Sequence, residues 1–267
     1  MKKKTTAISL FSANAHSIGK VRRVNEDALF SFETEIVRMN QKTTLGVYVV
    51  ADGMGGHVGG DKASASAVDA FAQFFFESVL LGLTSGKVDV KALPALLEEG
   101  VQHANRSVIE NVNGGGTTFT AVLVWDSRLF VAHVGDSRAY LFHEDGSSEL
   151  LTEDHSFVQT LVRMGEITEA EALSHPRRSV LMRSLGFDDE VAVDHVEVKI
   201  MPEETILLCC DGLWSVVPEA EIAERIRGGT DLHAIADGLV TAANEAGGPD
   251  NISCILVRAK DSDESGG

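Results

Sequence analysis

A chain of 267 residues with 44% hydrophobic and 24% charged side chains has ordinary globular composition, but its formal net charge of −17 is strongly acidic. Such a surface repels nucleic-acid backbones and anionic lipid, which argues against nucleic-acid binding or membrane insertion and requires that any anionic substrate meet local positive charge. The three cysteines, Cys209, Cys210 and Cys254, make no disulfide framework and fit a reducing, cytoplasmic setting.

The start, Met1-Lys2-Lys3-Lys4, has the charge of a leader but no apolar segment behind it, so no leader is expected. Glu26-Asp27 precedes the apolar Ala28-Leu29-Phe30. Thr43 to Ala51 reads as a strand ending at Asp52-Gly53. From Gly60 to Leu80 a helix places Val68, Phe71, Ala72, Phe75 and Val79 on one face. Its apolar run, Phe71 to Leu83, is broken by Gln73 and Glu77 and is too short to span a bilayer. A second helix covers Ala92 to Val112.

Strand patterns follow at Thr117 to Trp125, Leu129 to Val134 and Arg138 to His143. Gly135-Asp136 and Asp145-Gly146 read as turns joining antiparallel neighbours. Further strands span Val191 to Ile200 and Thr205 to Cys210. Pro218 opens a helix over Glu219 to Arg227, and another runs from Asp231 to Asn244. Ile252 to Arg258 is the last strand. Strands in runs with helices in pairs predict an α+β fold on antiparallel sheet. One domain is expected over residues 1–260, with an acidic disordered tail over 261–267.

The informative feature is where the carboxylates fall. Asp52, Asp136 and Asp211 each follow an apolar strand, Asp250 precedes the last one, and Glu26-Asp27 precedes an early one. A carboxylate held at a strand end is a common way to build an oxygen-ligand cation site. Taken singly, an Asp-Gly pair after a strand is better explained as an ordinary turn. If several converge, their repulsion demands a cation. Other chemistries lack their spacing: no His-Glu-x-x-His, Cys-x-x-Cys or Gly-x-Ser-x-Gly occurs, and Gly114-Gly115-Gly116-Thr117-Thr118 has no P-loop lysine.

Seven segments in order resemble the metal-dependent protein phosphatase family, the type 2C serine/threonine phosphatases, in its compact bacterial branch. They are Val21-Arg22-Arg23-Val24-Asn25-Glu26-Asp27, Val50-Ala51-Asp52-Gly53-Met54-Gly55-Gly56-His57 and Gly115-Gly116-Thr117-Thr118; then Val134-Gly135-Asp136-Ser137-Arg138-Ala139-Tyr140 and Leu151-Thr152-Glu153-Asp154-His155-Ser156. Cys210-Asp211-Gly212-Leu213-Trp214 and Gly248-Pro249-Asp250-Asn251-Ile252-Ser253 complete the set, which spans roughly residues 12 to 258.

The resemblance implies a four-layer αββα sandwich, two antiparallel β-sheets flanked by helices, with a metal cluster in a cleft at one end. It implies Mn²⁺ or Mg²⁺ as cofactor, two ions per site and a third, weaker one. Asp52 would bridge the pair, with the Gly53 carbonyl and Glu26 on one ion and Asp211 and Asp250 on the other. Asp27 would position the attacking water, Asp136 with Asp211 would hold the third ion, and Arg22 would grip phosphate. Catalysis would then rest on Arg22, Asp27, Asp52 and Asp211.

Met54 stands where animal members carry a histidine that protonates the leaving alcohol, which leaves His57 or water for that role. The stretch from Ser156 to Arg183 matches the family's variable flap, with Arg177-Arg178 read as solvated. The implied activity is hydrolysis of phosphoserine and phosphothreonine in proteins by a metal-activated water. The implied partners are phosphoprotein substrates of a Ser/Thr kinase, and the implied state is a monomer. A non-catalytic binding module and a metal-stabilised structural protein are the competing readings, separated by phosphopeptide hydrolysis with and without Mn²⁺.

Overall fold

The computed structural model describes residues 8–38, 41–55 and 59–262. In chain order its first strands are β1 (Ile8–Ser17), β2 (Asp27–Arg38) and β3 (Gln41–Met54). Helix α1 (Gly60–Phe74) passes through a π-helical stretch, Phe75–Leu80, into α2 (Leu81–Ser85), and α3 (Leu93–Asn111) follows. Then come β4 (Gly116–Thr117), β5 (Phe119–Trp125), β6 (Arg128–Val134), β7 (Arg138–Phe142) and β8 (Ser148–Leu150). Two short helices, α4 (Phe157–Arg163) and α5 (Glu169–Leu173), precede β9 (Asp194–Lys199) and β10 (Thr205–Cys209). The single turn α6 (Asp211–Trp214), helices α7 (Glu219–Gly228) and α8 (Leu232–Glu245), and β11 (Ile252–Asp261) end the described chain.

The central strands β5, β6, β10 and β11 and the middle of β3 read as apolar runs because both of their faces are buried. In β3, Val47, Val49 and Ala51 pack with α1 and α3 residues such as Ala67, Phe71 and Leu97, while Tyr48 and Val50 join a second cluster. That second cluster also takes Ile206 and Leu208 from β10, Cys210 just after it, and Ile255 and Val257 from β11, so it lies between two sheets. The alternate residues Leu207, Cys209, Cys254 and Leu256 pack under α7 and α8 with Ile222, Ile235 and Leu239. Three cores between four layers follow from this alternation.

One sheet has the order β1-β11-β10-β7-β8 and the other β2-β3-β5-β6-β9, with β4 beside the end of β3. Every described pairing is antiparallel. The expected αββα architecture is present.

Some local expectations need correction. Asp145-Gly146 does join paired neighbours, β7 and β8, but Gly135-Asp136 does not: it carries the chain from β6 in one sheet to β7 in the other. The expected strand Thr117 to Trp125 breaks at Thr118, whose N–H donates to Asp52 O at 2.9 Å. The last strand continues to Asp261, opposite Ile8, while residues 263–267 of the expected tail lie outside the described residues.

Helical continuity over Gly60–Ser85 gives 26 residues, long and apolar enough to cross a bilayer, which the interrupted run Phe71 to Leu83 did not suggest. Its buried face, from Ala63 through Phe71 to Leu83, packs into the core against the sheet, as a layer helix requires.

Candidate metal centre

The inter-sheet layer opens at the end where five strand termini meet. Tyr48 and Val50 of β3 face between the sheets, and strand parity carries Asp52 onto the same face. Register sets Asp27, the first residue of β2, directly opposite Asp52. Like charges placed that way repel, so this pairing is stable only with a proton or a cation between them. Asp211 begins α6 just after β10, Asp136 follows β6, and Asp250 lies just ahead of β11.

Arg22, Glu26, Asp52, Gly53, Asp136, Asp211 and Asp250 line one cleft, with Arg23, Thr118, Ser179 and Leu181. Asp27 sits behind Asp52: one oxygen of each and Cys210 Sγ lie within 4.8 Å of one another. All seven predicted metal-site residues are thus brought to the same end of the sandwich. His57 lies outside the described residues. Of the flap arginines, Arg177 lays its guanidinium 3.7 Å from the Phe157 ring centre.

Without a cation the cluster holds protons. Burial, then the charges of neighbouring carboxylates, pushes Asp211 up to about 7 and Asp52 well above the usual carboxylate range. Burial likewise moves Asp27 up to about 6 and Asp136 well above its ordinary value. Both oxygens of Asp27 and Oδ1 of Asp211 are buried with no hydrogen-bond partner. Buried, unpaired carboxylate oxygens are costly, and an all-oxygen set of this kind fits a hard divalent cation.

Glycine makes the close approach possible. A Cβ on Gly53 would collide with the carbonyls of Gly60 and Glu26, and one on Gly212 would strike Asn251 O. The Gly53 N–H meanwhile donates to Glu26 O at 3.0 Å, fixing β3 against the segment that carries Glu26.

Arg22 donates through Nη2 to Asp250 Oδ2 at 2.7 Å, with both side chains partly exposed. The segment bearing Arg22 depends on Asn251, which sequence reasoning left without a role. Its Oδ1 accepts from Glu26 N–H at 2.9 Å, and its Nδ2 donates to Ile18 O and Val24 O, each at 3.0 Å. Thr118, read as structural, accepts from Asp52 N–H at 2.9 Å and shares a 2.8 Å hydrogen bond with Ser137. His155 accepts from Gly135 N–H on Nδ1 at 3.0 Å, which leaves Nε2 to face Asp194 Oδ2 at 3.1 Å. Asn251 and His155 stand in segments of the family pattern, yet nothing in their spacing says which backbone groups they hold.

Two antiparallel sheets between helical layers, opening on a carboxylate cluster beside an arginine, define the class of metal-dependent protein phosphatases. The chain belongs to the protein phosphatase 2C family of serine/threonine phosphatases, whose family model, "Protein phosphatase 2C", matches residues 20–257. It is similar to the serine/threonine phosphatase stp of Listeria innocua, 39% identical over 245 residues that cover 90% of this chain and 92% of that one. The crystal structure of the Mycobacterium tuberculosis serine/threonine phosphatase PstP/Ppp superposes with a TM-score of 0.80 at 32% identity, covering 94% of this chain and 99% of that one. A structure of the PstP catalytic domain in complex with 2 manganese ions matches with a TM-score of 0.78 at 30% identity, covering 95% and 100% of the two chains.

Proposed function

We propose that this phosphatase hydrolyses phosphoserine and phosphothreonine in proteins at a centre of two Mn²⁺ or Mg²⁺ ions, and that it opposes a Ser/Thr kinase in the cytoplasm as a monomer. The observation that carries the reading is the convergence of Glu26, Asp52, Asp136, Asp211 and Asp250 in one cleft, backed by the unpartnered oxygens of Asp27 and Asp211. An acidic protein that gathers carboxylates around one cleft needs cations there for an anionic substrate to enter. The similar PstP catalytic domain forms a complex with 2 manganese ions, which supports the same choice.

Asp52 would hold both ions, Glu26 and the Gly53 carbonyl one of them, and Asp211 and Asp250 the other. Asp136 with Asp211 would hold a third, weaker ion. Bound divalent cations supply an activated water near neutral pH and offset charge on the phosphoryl oxygens.

The chain's own groups do the rest. Asp27, behind Asp52, accepts a hydrogen bond from the attacking water and orients it. Arg22 leaves Asp250 to grip two phosphoryl oxygens, which its planar fork allows. Thr118 and Ser137 hold the strand of Asp52 against the segment of Asp136, so the carboxylates meet the substrate already in place. The residues 1–260 act as one catalytic domain.

The test is steady-state hydrolysis of a phosphothreonine peptide by metal-stripped protein. Turnover is expected only on adding Mn²⁺ or Mg²⁺ and is abolished by a chelator. Full activity after exhaustive chelation overturns the metal reading, and absence of hydrolysis at saturating Mn²⁺ overturns the enzyme.

A further inference from the structure

Asp136 and Asp211 come from different parts of the chain, one on the crossover between the sheets and the other at the start of α6. Their separation is therefore set by whatever ties the crossover to that helical turn. One side chain does so directly: Trp214, the last residue of α6, donates its indole N–H to the Asp136 carbonyl at 2.9 Å. We propose that Trp214 is a positioning residue that holds Asp136 at the distance from Asp211 at which the two share the weaker ion. This inference rests on the third-ion reading given above.

The ring is not free to wander. Arg138 lies over it with its guanidinium carbon 3.6 Å from the ring centre. Arg138 is itself clamped, bonding Asp154 through Nε at 2.9 Å and Nη2 at 2.8 Å and Tyr140 OH through Nη1 at 3.0 Å. Asp154 is buried, so this two-pronged pair is shielded from water and resists rotation. A guanidinium fixed in plane fixes the indole stacked on it, and with it the direction of the N–H.

The crossover is held equally firmly on its other sides. Gly135 N–H is bonded to His155, Ser137 is bonded to Thr118, and Asp136 is buried. Gly135 adopts φ of +112°, and a Cβ there would collide with Thr118, so the backbone has little room to compensate for a lost contact. Removing the indole N–H leaves the Asp136 carbonyl without its bond to α6, and the crossover then keeps its anchors to Thr118 and His155, neither of which reaches the turn that carries Asp211. The separation of the two carboxylates would then lose its one direct tie.

Trp214→Phe keeps an aromatic ring beside Arg138 and removes the donor together with the five-membered part of the indole, so the melting temperature reads the loss of packing while the metal titration reads the loss of the bond. Full-length wild type, Trp214→Phe and Asp136→Ala are titrated calorimetrically with Mn²⁺, with melting temperature as a check on folding. Trp214→Phe is expected to weaken the weaker binding phase about tenfold and spare the tight one, as loss of a partner behind a ligand does. Asp136→Ala is expected to abolish that phase. A weaker phase unchanged in Trp214→Phe but lost in Asp136→Ala overturns the role of Trp214 and leaves the third-ion reading standing. A weaker phase that persists in Asp136→Ala overturns both.

Should Trp214→Phe fold poorly, the wild type alone decides the matter. The chain has two tryptophans, Trp125 and Trp214, and Trp125 ends β5. In ¹⁵N-labelled protein titrated with Mg²⁺, the Trp214 indole resonance is expected to move as the weaker site fills while that of Trp125 stays. A stationary Trp214 resonance through saturation overturns the proposal.

Discussion

Two segments feed the cleft, and they are held in opposite ways. The crossover of Gly135, Asp136 and Ser137 is buried and bonded to β4 and β5 through Thr118, to the flap base through His155 and to α6 through Trp214. The segment from Ile18 to Glu26 instead exposes Val21 and Val24, and its middle is tied down chiefly by Asn251, with Lys20 N–H donating to Gly248 O at 2.8 Å. One wall is thus tied to three neighbouring segments, and the other leans mainly on the side-chain amide of Asn251. A carboxylate that must share an ion needs a fixed neighbour, whereas an arginine that must leave Asp250 for a phosphate needs room to move.

The largest expected effect lies at the residue that both walls face across the cleft. Asp211 begins α6, lines the cleft and lacks a partner for Oδ1. Asp211→Asn is expected to lower turnover by about a hundredfold, or about 2.7 kcal/mol, with an unchanged circular dichroism spectrum. Turnover within a few-fold of wild type would remove Asp211 from the ligand set.

The protons in the buried cluster sharpen the contrast through pH. The folded, metal-free protein keeps protons on Asp27 up to about 6 and on Asp211 up to about 7, against 3.8 for an ordinary aspartate. It therefore binds protons that the unfolded chain has already released. The stability these groups contribute is full below pH 3.8 and is lost as pH rises through 6 and 7. Cations replace those protons, so the gain in melting temperature on adding Mn²⁺ should grow from pH 5 to pH 8. At a hundredfold excess over the dissociation constant the gain amounts to about 2.7 kcal/mol. A gain that is flat or falls with pH contradicts the cluster as the binding site.

Asn251→Ala tests the looser wall. Three hydrogen bonds disappear, and Glu26 N–H and two carbonyls lose their partner. Denaturant unfolding should register about 2 kcal/mol of lost stability, and KM for a phosphopeptide should rise because Arg22 is no longer presented. An unchanged KM alongside that destabilisation would mean that the segment positions nothing for the substrate.

The smallest effect belongs to the arginine itself. Arg22→Ala should raise KM about tenfold, equivalent to about 1.4 kcal/mol, with a lesser change in kcat, and Arg22→Lys should recover only part of the loss. Arg23 also lines the cleft, and Arg23→Ala should change little. Kinetics of the three variants on one phosphopeptide decide it, and a larger loss from Arg23→Ala would reassign the grip to that residue.

Much of this was legible in the amino-acid sequence. Strands β3, β5, β6, β7, β9, β10 and β11 and the longer helices announce themselves because their apolar residues repeat at strand or helix spacing and face three large cores, whereas β8, three residues long and mostly exposed, gave no such signal. The carboxylates stand out because each adjoins such a strand, and their order carries the family resemblance. What spacing could not reveal is short or lies on a sheet edge. β1 mixes Ser9, Ser12, Asn14 and His16 with its apolar residues because it pairs on one side only, and α4, α5 and α6 are too short for a period to appear.

Convergence belonged to tertiary structure alone. Gly135-Asp136 looks like a hairpin turn in sequence, and only the packing of two sheets makes it a crossover that brings Asp136 to Asp211. Asn251 and Trp214 act on backbone groups 225 and 78 residues away, and a hydrogen bond to a carbonyl or an N–H leaves no trace in the identity of the residue that supplies it. The sequence by itself thus determined which residues are buried and which acids end strands, since burial selects side chains locally. The distances between those acids were decided by sheet packing and a few long-range hydrogen bonds.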